Sequence, residues 1–364
     1  MHVHHGLQKI ADSWVPHCEK ICADLNIPLE VAHLKLAIIK GESTENIARK
    51  GRYEALKASL QADEILVTAH HQNDQAETLL LQLFRGAGVQ GLASMPLIND
   101  FGLGQQVRPL LAESRDDLEC YAKKHQLQFI DDPSNQDQAF DRNFLRQNIL
   151  PQLRKRWLGI DKSIARSARI QAETKALLDE VAQQDLDKIC DEANTITIQS
   201  LLKLSKRRQK LLIRYWIEKG GFSSPSEKKL QHIFDDGVHA KEDAQPLIAW
   251  QGAEIRRFKG QLYVLQPLSK HDASQQFDWQ TQTPLIIASL GVALHSEMLN
   301  EPFDHVSVRF RQGGEQIYLP ERGIHLSLKN YFHEMAVPPW LRDRAPLIYH
   351  ENTLKQVILE AKSG

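Results

Sequence analysis

The chain has no apolar run near the ~18 residues that a membrane-spanning helix needs. Its most apolar stretch, PLIIASLGVAL at 284–294, is short and reads as a strand. It does not open with a basic segment followed by an apolar one, so no secretory leader is expected. Cysteine is scarce: Cys18, Cys22, Cys120 and Cys190 make no disulfide framework, and a cytoplasmic, reducing location is expected. Cys18 and Cys22 fall four apart on a predicted helix, where two small packed hydrophobes are the ordinary reading and a metal or redox pair the sharper one. HExxH and CxxC patterns are absent, which weighs against a zinc hydrolase. A charge excess is absent too. With 45 basic and 46 acidic residues the net charge is −1, so the chain is not a general polyanion coat, although local basic patches remain open. There is no internal repeat and no low-complexity tract.

What is present is ordinary globular composition, 42% hydrophobic and 25% charged over 364 residues, enough for two or three domains. The first ~135 residues alternate strand and helix patterns, the signature of an α/β parallel sheet. Strands are predicted at 28–36, 64–69 and 105–111. Helices are predicted at 43–61 (capped by Ser43 or Thr44), from Asp74 to Gly86, and after Ser114. DDPSN at 131–135 is a turn. From 142 to 190 and from 198 to 220 the pattern is helical. AEIRRFKGQLYVL at 253–265 predicts a hairpin around Lys259-Gly260. The polar stretch 268–283 reads as a linker, and 284–364 as a small α+β module.

Titratable chemistry concentrates in TAHHQNDQAET (68–78), where a strand hands over to a helix. Ligands bind outside the carboxyl ends of strands in open α/β sheets. His70 and His71 sit at such an end; Asp74 and Glu77, three apart, share a helix face. HVHHG (2–6) ends what reads as a neighbouring strand, so two strand ends converge on one crevice. The plain alternative is a capping box with Asp74 as N-cap and Glu77 three residues later. A second alternative is a metal held by His70 and Asp74. Arg49 and Arg52 lie three apart beside Tyr53 and are either solvated helix residues or binders of phosphate or carboxylate. Two runs carry basic residues without acids: Arg142, Arg146, Arg154, Lys155 and Arg156, then Lys203, Lys206, Arg207, Arg208, Lys210 and Arg214. Solvated faces are the ordinary reading, and contact with a nucleic-acid backbone the sharper one. Trp157, Tyr215 and Trp216 fit a core better than base stacking.

Taken in order, HVHHGL (2–7), ARKGRY (48–53), TAHHQNDQAET (68–78), FRGAGVQGLASM (84–95), RPLL (108–111) and DDPSNQDQAFDRNFLRQNILPQL (131–153) resemble the tRNA(Ile)-lysidine synthetase family of ATP pyrophosphatases. EIRRFKGQLYVL (254–265), VSVRFRQGGE (306–315) and VPPWLRDRAPLIY (337–349) resemble its two C-terminal domains. The resemblance implies a Rossmann-like PP-loop domain over 1–157, a mainly helical tRNA-binding domain over 158–267, the linker, and a C-terminal tRNA-binding module over 284–364. It implies a cytoplasmic carbon–nitrogen ligase that uses ATP and Mg²⁺, with a homodimer as a possible assembly. The reaction adenylates the C2 oxygen of the wobble cytidine in a CAU-anticodon isoleucine tRNA, after which free lysine displaces AMP and decoding moves from AUG to AUA.

By the same resemblance Asp74, Glu77 and His70 are catalytic. His2, Val3, His4, Gly6 and Arg49 bind ATP, and Asp74, Glu77 and Arg52 hold lysine. Arg142, Asn143, Arg146, Arg154, Arg207 and Arg208 meet tRNA, and Asp74 is a weak Mg²⁺ ligand. Two departures bear on this. The family's SGGxDS loop, which wraps pyrophosphate after its first strand, is nowhere in the sequence, so the first strand, loop and helix are expected to be missing and the sheet left with an open interior edge. The family's usual Asp-Asp also reads Asn73-Asp74. The alternatives are a tRNA-binding remnant without catalysis, or another ATP-pyrophosphatase tRNA-modifying enzyme.

Overall fold

The computed structural model describes residues 1–6, 8–36, 44–191, 193–241 and 244–359; the predicted cap Ser43 lies outside them. The chain divides into two units, Met1–Val181 and Ala182–Gly364.

The first unit is built on parallel pairing. β1 (His2–His4) runs parallel to β2 (Val31–His33), with His4 opposite His33, and α1 (Trp14–Asp24) connects them. α2 (Thr44–Ser59) leads to β3 (Ile65–Val67), and α3 (Gln72–Phe84) follows directly from that strand's carboxyl end. After the short α4 (Val89–Leu92) come β4 (Ile98–Phe101) and β5 (Gly104–Val107). β5 pairs parallel with β3 and antiparallel with β4, in the order β3-β5-β4. The antiparallel edge was not anticipated. It turns at Gly102, which has φ +61°, and a Cβ on Gly104 would lie 2.2 Å from the Glu64 carbonyl oxygen. The predicted strand 105–111 ends at Val107, before Pro109.

α5 (Arg115–Lys124) is capped as expected by Ser114, whose hydroxyl accepts from the Asp117 N–H. α6 (Asp141–Phe144) continues through one wide π-turn at Leu145–Ile149 into α7 (Leu150–Arg156). Pro151 carries no N–H to donate back along the helix, a known cause of such a break in the ladder. α8 follows over Ile160–Ile189.

In the second unit, β6 (Ile196–Thr197), β7 (Leu247–Trp250), β8 (Ala253–Phe258) and β9 (Gln261–Leu265) form a sheet in the order β6-β9-β8-β7. Lys259 and Gly260 both take positive φ in the predicted hairpin. α9 (Ile198–Leu202), α10 (Lys206–Lys219) and α11 (Glu227–His232) pack on it, with Leu212, Ile213, Trp216, Ile233, Ile255 and Leu262 fully buried. The helix expected over 198–220 is interrupted, because Ser205 leaves the helix to cap α10.

The polar stretch 268–283 is not a plain linker: β10 (Phe277–Gln280) lies in it and buries Trp279. β10 edges a second antiparallel sheet with β13 (His305–Arg309), β16 (Leu347–His350) and β17 (Thr353–Val357). The run 284–294, read as one strand, is a hairpin of β11 (Leu285–Ile287) and β12 (Val292–Leu294). β14 (Gln316–Leu319), β15 (Ile324–Ser327), α12 (Leu328–Glu334) and α13 (Pro339–Arg342) complete the module. Trp340 of α13 meets Phe258 and Tyr263 edge-on and lies 5.3 Å from the Arg256 guanidinium carbon.

Candidate functional site

α3 begins one turn earlier than its sequence pattern suggested. Its N-cap is His71, and Asp74 is the third helical residue, accepting a hydrogen bond from the His71 N–H at 3.0 Å. The capping box that would pair Asp74 as cap with Glu77 is therefore replaced by one in which Asp74 is the reciprocal acid. Asn73 turns away from the carboxylates: its Oδ1 accepts from the Arg115 N–H at the start of α5, 2.9 Å away.

Asp74 and Glu77 share one face of α3, and the arginines of the 141–149 segment close on that face. Arg146 grips Glu77 through two hydrogen bonds, Nε to Oε1 at 2.7 Å and Nη2 to Oε2 at 2.9 Å. Its Nη2 also reaches Asp74 Oδ1 at 3.4 Å. Arg142 donates to Thr78 Oγ1 at 2.9 Å, and its Nε stands 3.6 Å from Glu77 Oε2. Glu77 is 1% exposed. A carboxylate that buried is tolerated only when paired and hydrogen-bonded, and both its oxygens are taken. The bond to Glu77 pushes the Arg146 guanidinium above its ordinary range. Asp74 keeps acceptor capacity, since its contact with Arg146 is long.

A second chain of contacts leads from His70 to α2. His70 Nδ1 lies 3.0 Å from Thr68 Oγ1, Gln106 Nε2 donates to the same hydroxyl at 3.2 Å, and Arg108 Nη2 donates to Gln106 Oε1 at 2.7 Å. Arg108 also donates to the Pro96 carbonyl and to Asn99 Oδ1, both at 2.7 Å, and the nearby Tyr53 favours its charged form. The Arg49 and Arg52 guanidinium carbons each stand 5.7 Å from the Tyr53 ring centre. Burial is the main force holding His70 below its ordinary pKa; Arg108, Arg142 and Arg49 add to it, and Asp74 opposes it. Thr68, Gln106 and Arg108 were not singled out from the sequence, although a buried arginine in RPLL signalled a need for fixed acceptors.

The histidines of β1 are differently engaged. His2 Nδ1 lies 3.6 Å from Cys18 Sγ, and His4 Nε2 lies 3.0 Å from Asp12 with its ring 5.1 Å from that of His33. Burial, with His4 beside it, holds the His5 pKa below its ordinary value; Asp132 opposes this and Arg52 of α2 adds to it. Val3 is half-buried in β1, and Gly6 takes φ +68° with the Leu34 carbonyl oxygen 3.7 Å from where a Cβ would stand.

The two acid-free runs are neutralised in part, because acids arrive from elsewhere in the chain, while Lys155, Arg156, Lys203 and Lys206 stay exposed. Arg142 and Arg146 meet Glu77 and Asp74, and Arg154 pairs bidentately with Asp161 at 2.6 and 2.9 Å. In the second unit Arg208 pairs bidentately with the buried Asp185, and Arg214 with Glu227. Asn143 is buried and donates to the Ser134 and Asp137 carbonyls, locking the DDPSN turn. Arg207 remains exposed. The aromatics divide as well: Trp216 is core, whereas Trp157 is 54% exposed, against the expectation of a core residue.

Asp74 does not fit Mg²⁺ by itself. Mg²⁺ held by protein alone wants several oxygens in octahedral array; Asp74's neighbours are a guanidinium and two histidines. Among the described residues no three His, Cys, Asp or Glu converge on a possible metal position.

Comparison with known proteins places this geometry. Residues 1–153 match the PP-loop domain family, 197–263 the TilS substrate binding domain and 306–359 the TilS substrate C-terminal domain. The tRNA(Ile)-lysidine synthase of Coxiella burnetii (strain RSA 493 / Nine Mile phase I) is 41% identical over 98% of this chain and 81% of its own length. That of Methylococcus capsulatus is 40% identical over 98% and 83%, and that of Serratia proteamaculans 39% over 97% and 82%. The chain belongs to the tRNA(Ile)-lysidine synthase family. A solved U34-tRNA thiolase, NcsA from Methanococcus maripaludis with its [4Fe-4S] cluster, aligns with TM-score 0.40 at 18% identity over 47% of this chain and 61% of its own, a likeness too loose to argue from. For this synthase-family chain the carboxylate face of α3 lies inside the PP-loop match. No helix among the described residues is long and apolar enough to cross a membrane.

Proposed function

We propose that the protein ligates free lysine to C2 of the wobble cytidine in the CAU anticodon of an isoleucine tRNA, with ATP supplying the activation and the cytoplasm as its location. The observation that carries this reading is the unequal pair on α3, Glu77 saturated by Arg146 and Asp74 still able to accept. A lysine ammonium carries three donors and needs a carboxylate that is fixed but not fully engaged. Glu77 with Arg146 supplies the fixing, and Asp74 holds the ammonium.

The C2 oxygen bonds the α-phosphorus of ATP as pyrophosphate leaves, so that this oxygen becomes part of a phosphate ester and can depart with AMP. Before attack the ammonium must lose a proton, since its ordinary pKa is about 10.4. His70, kept neutral by burial, is the acceptor within this cluster. The freed amine lone pair forms the C2–N bond as the C2–O bond breaks and AMP departs with that oxygen. Arg49 and Arg52, aligned over Tyr53, are the cations suited to phosphate oxygens. No step is assigned to Mg²⁺, which the residues described do not hold unaided.

The test is incubation with ATP, labelled lysine and CAU-anticodon tRNA. Lysine incorporation that vanishes in Asp74→Asn is expected; tRNA binding without incorporation or pyrophosphate release would leave a non-catalytic RNA binder.

A further inference from the structure

The opposite side of α3 carries a feature that the reaction does not use. A cavity of ≈ 650 Å³ opens between α3, the 93–97 segment, Leu111-Ala112 and the first half of α8. Its walls are Met95, Leu97, Leu111 and Ala165, with Gln72 at one edge. Lys162, Arg166 and Arg169 stand on its α8 side, and none of the lining residues is acidic. The three cations fall at i, i+4 and i+7, one stripe about 10 Å long. Arg169 makes an exposed ion pair with Glu173, whereas Lys162 and Arg166 are exposed and have no acidic partner among the described residues.

We infer that this cavity seats an unpaired nucleobase of the RNA substrate, adjacent in the strand to the base being modified, with the α8 stripe holding its phosphates. The inference rests on the reading that the protein acts on tRNA. An apolar slot accepts either face of a base, and the two unpaired cations beside it, Lys162 and Arg166, are complementary to a phosphate chain. An apolar peptide would leave those cations without counter-charge. Position fits too. At about 100° per residue, Gln72 and Gln75 point roughly 160° away from Asp74 and Glu77. A strand with one base at Asp74 and a neighbour in the cavity therefore straddles α3, a width of about 10 Å that one or two unstacked nucleotide steps cover. The Gln75 carboxamide already braces the wall, accepting from the Met95 N–H at 2.9 Å and donating to its carbonyl at 2.7 Å, which holds the slot open in a fixed shape. The exposed Trp157, just before α8 and beside Lys155 and Arg156, offers a further stacking surface along the same track.

The test uses the full chain and a CAU anticodon stem–loop in which each loop purine is replaced in turn by 2-aminopurine. A rise in fluorescence at one position flanking the wobble base is expected, as that base leaves its stacked neighbours for aliphatic walls, and Ala165→Trp, which fills the slot, should abolish it. Lys162→Gln with Arg166→Gln should raise Kd about tenfold and lower the salt slope of log K by about 2. An unchanged fluorescence rise and affinity in both slot variants, each melting like the parent, would overturn the inference. So would sedimentation showing a dimer that Ala165→Trp dissociates, since a second copy would then occupy the slot. If lysine incorporation fails while the fluorescence rise stands, only the proposed ligation falls. If incorporation proceeds with an unchanged KM for tRNA in both slot variants, only the nucleobase slot falls.

Discussion

On one side of α3, Arg142 and Arg146 are drawn inward onto Glu77 and Asp74; on the other, Lys162 and Arg166 stand open beside an apolar slot. Both sets belong to basic stretches within thirty residues of one another, and nothing in the local sequence separates them. The difference is the counter-charge. Glu77 is 69 residues from Arg146 in sequence, and only the fold brings them together. A basic run is therefore a poor guide to an RNA-binding face until the acids that neutralise it are known, and an arginine that grips a buried carboxylate contributes to the architecture of the site.

The sharpest way to break this comparison is at Asp74. Asp74→Asn should lower lysine transfer by about 10²–10⁴-fold, as loss of a group acting in proton transfer or ammonium binding does, while melting close to the parent. If turnover is near normal, Asp74 is the capping-box acid of α3 alone. Next comes Glu77. Removing one partner of a buried pair leaves an uncompensated charge, so Glu77→Gln should destabilise by about 3–5 kcal/mol in denaturant unfolding. Adding Arg146→Met should restore much of that loss. Equal losses in the single and double variants would mean that the pair is not coupled.

The protonation of His70 sharpens the comparison further. Its folded pKa lies below the ordinary 6.5, so the unfolded chain binds the proton more tightly. The stability that follows from its burial is fully present above about pH 6.5 and declines as pH falls toward the depressed folded value. His70→Gln should flatten unfolding free energy over that acidic window, and a slope unchanged by the substitution would remove His70 from the cluster. The smallest effect belongs to the outer pair: Arg169→Ala, which loses an exposed i,i+4 partner, should change stability by about 0.3–0.5 kcal/mol at most.

The sequence pattern located what depends on local chemistry. α3 after an apolar strand, the Ser114 cap and the Lys259-Gly260 hairpin all follow from residues that signal their own conformation. Features that depend on distant partners escaped it. β10 was hidden because only Trp279 of its four residues is buried, leaving a polar stretch that resembles a linker. The 284–294 hairpin was hidden because both arms are apolar, and Gly291 alone marks its turn. The Thr68-Gln106-Arg108 bridge and the arginine clamp needed the register of β3 on β5 and the π-turn at Leu145–Ile149 before their side chains could be placed together. The titratable residues of the site were legible; their division into gripping and gripped was not.

Asn73 shows what one such tie entails. Because its carboxamide accepts the first free N–H of α5, the helices α3 and α5 take their starting points from a shared anchor. An aspartate at this position would keep the same acceptor and add negative charge at the electropositive tip of α5, a favourable placement worth about 0.3–1 kcal/mol. At this contact, exchange between the amide and the acid at residue 73 is thus a matter of helix-end electrostatics.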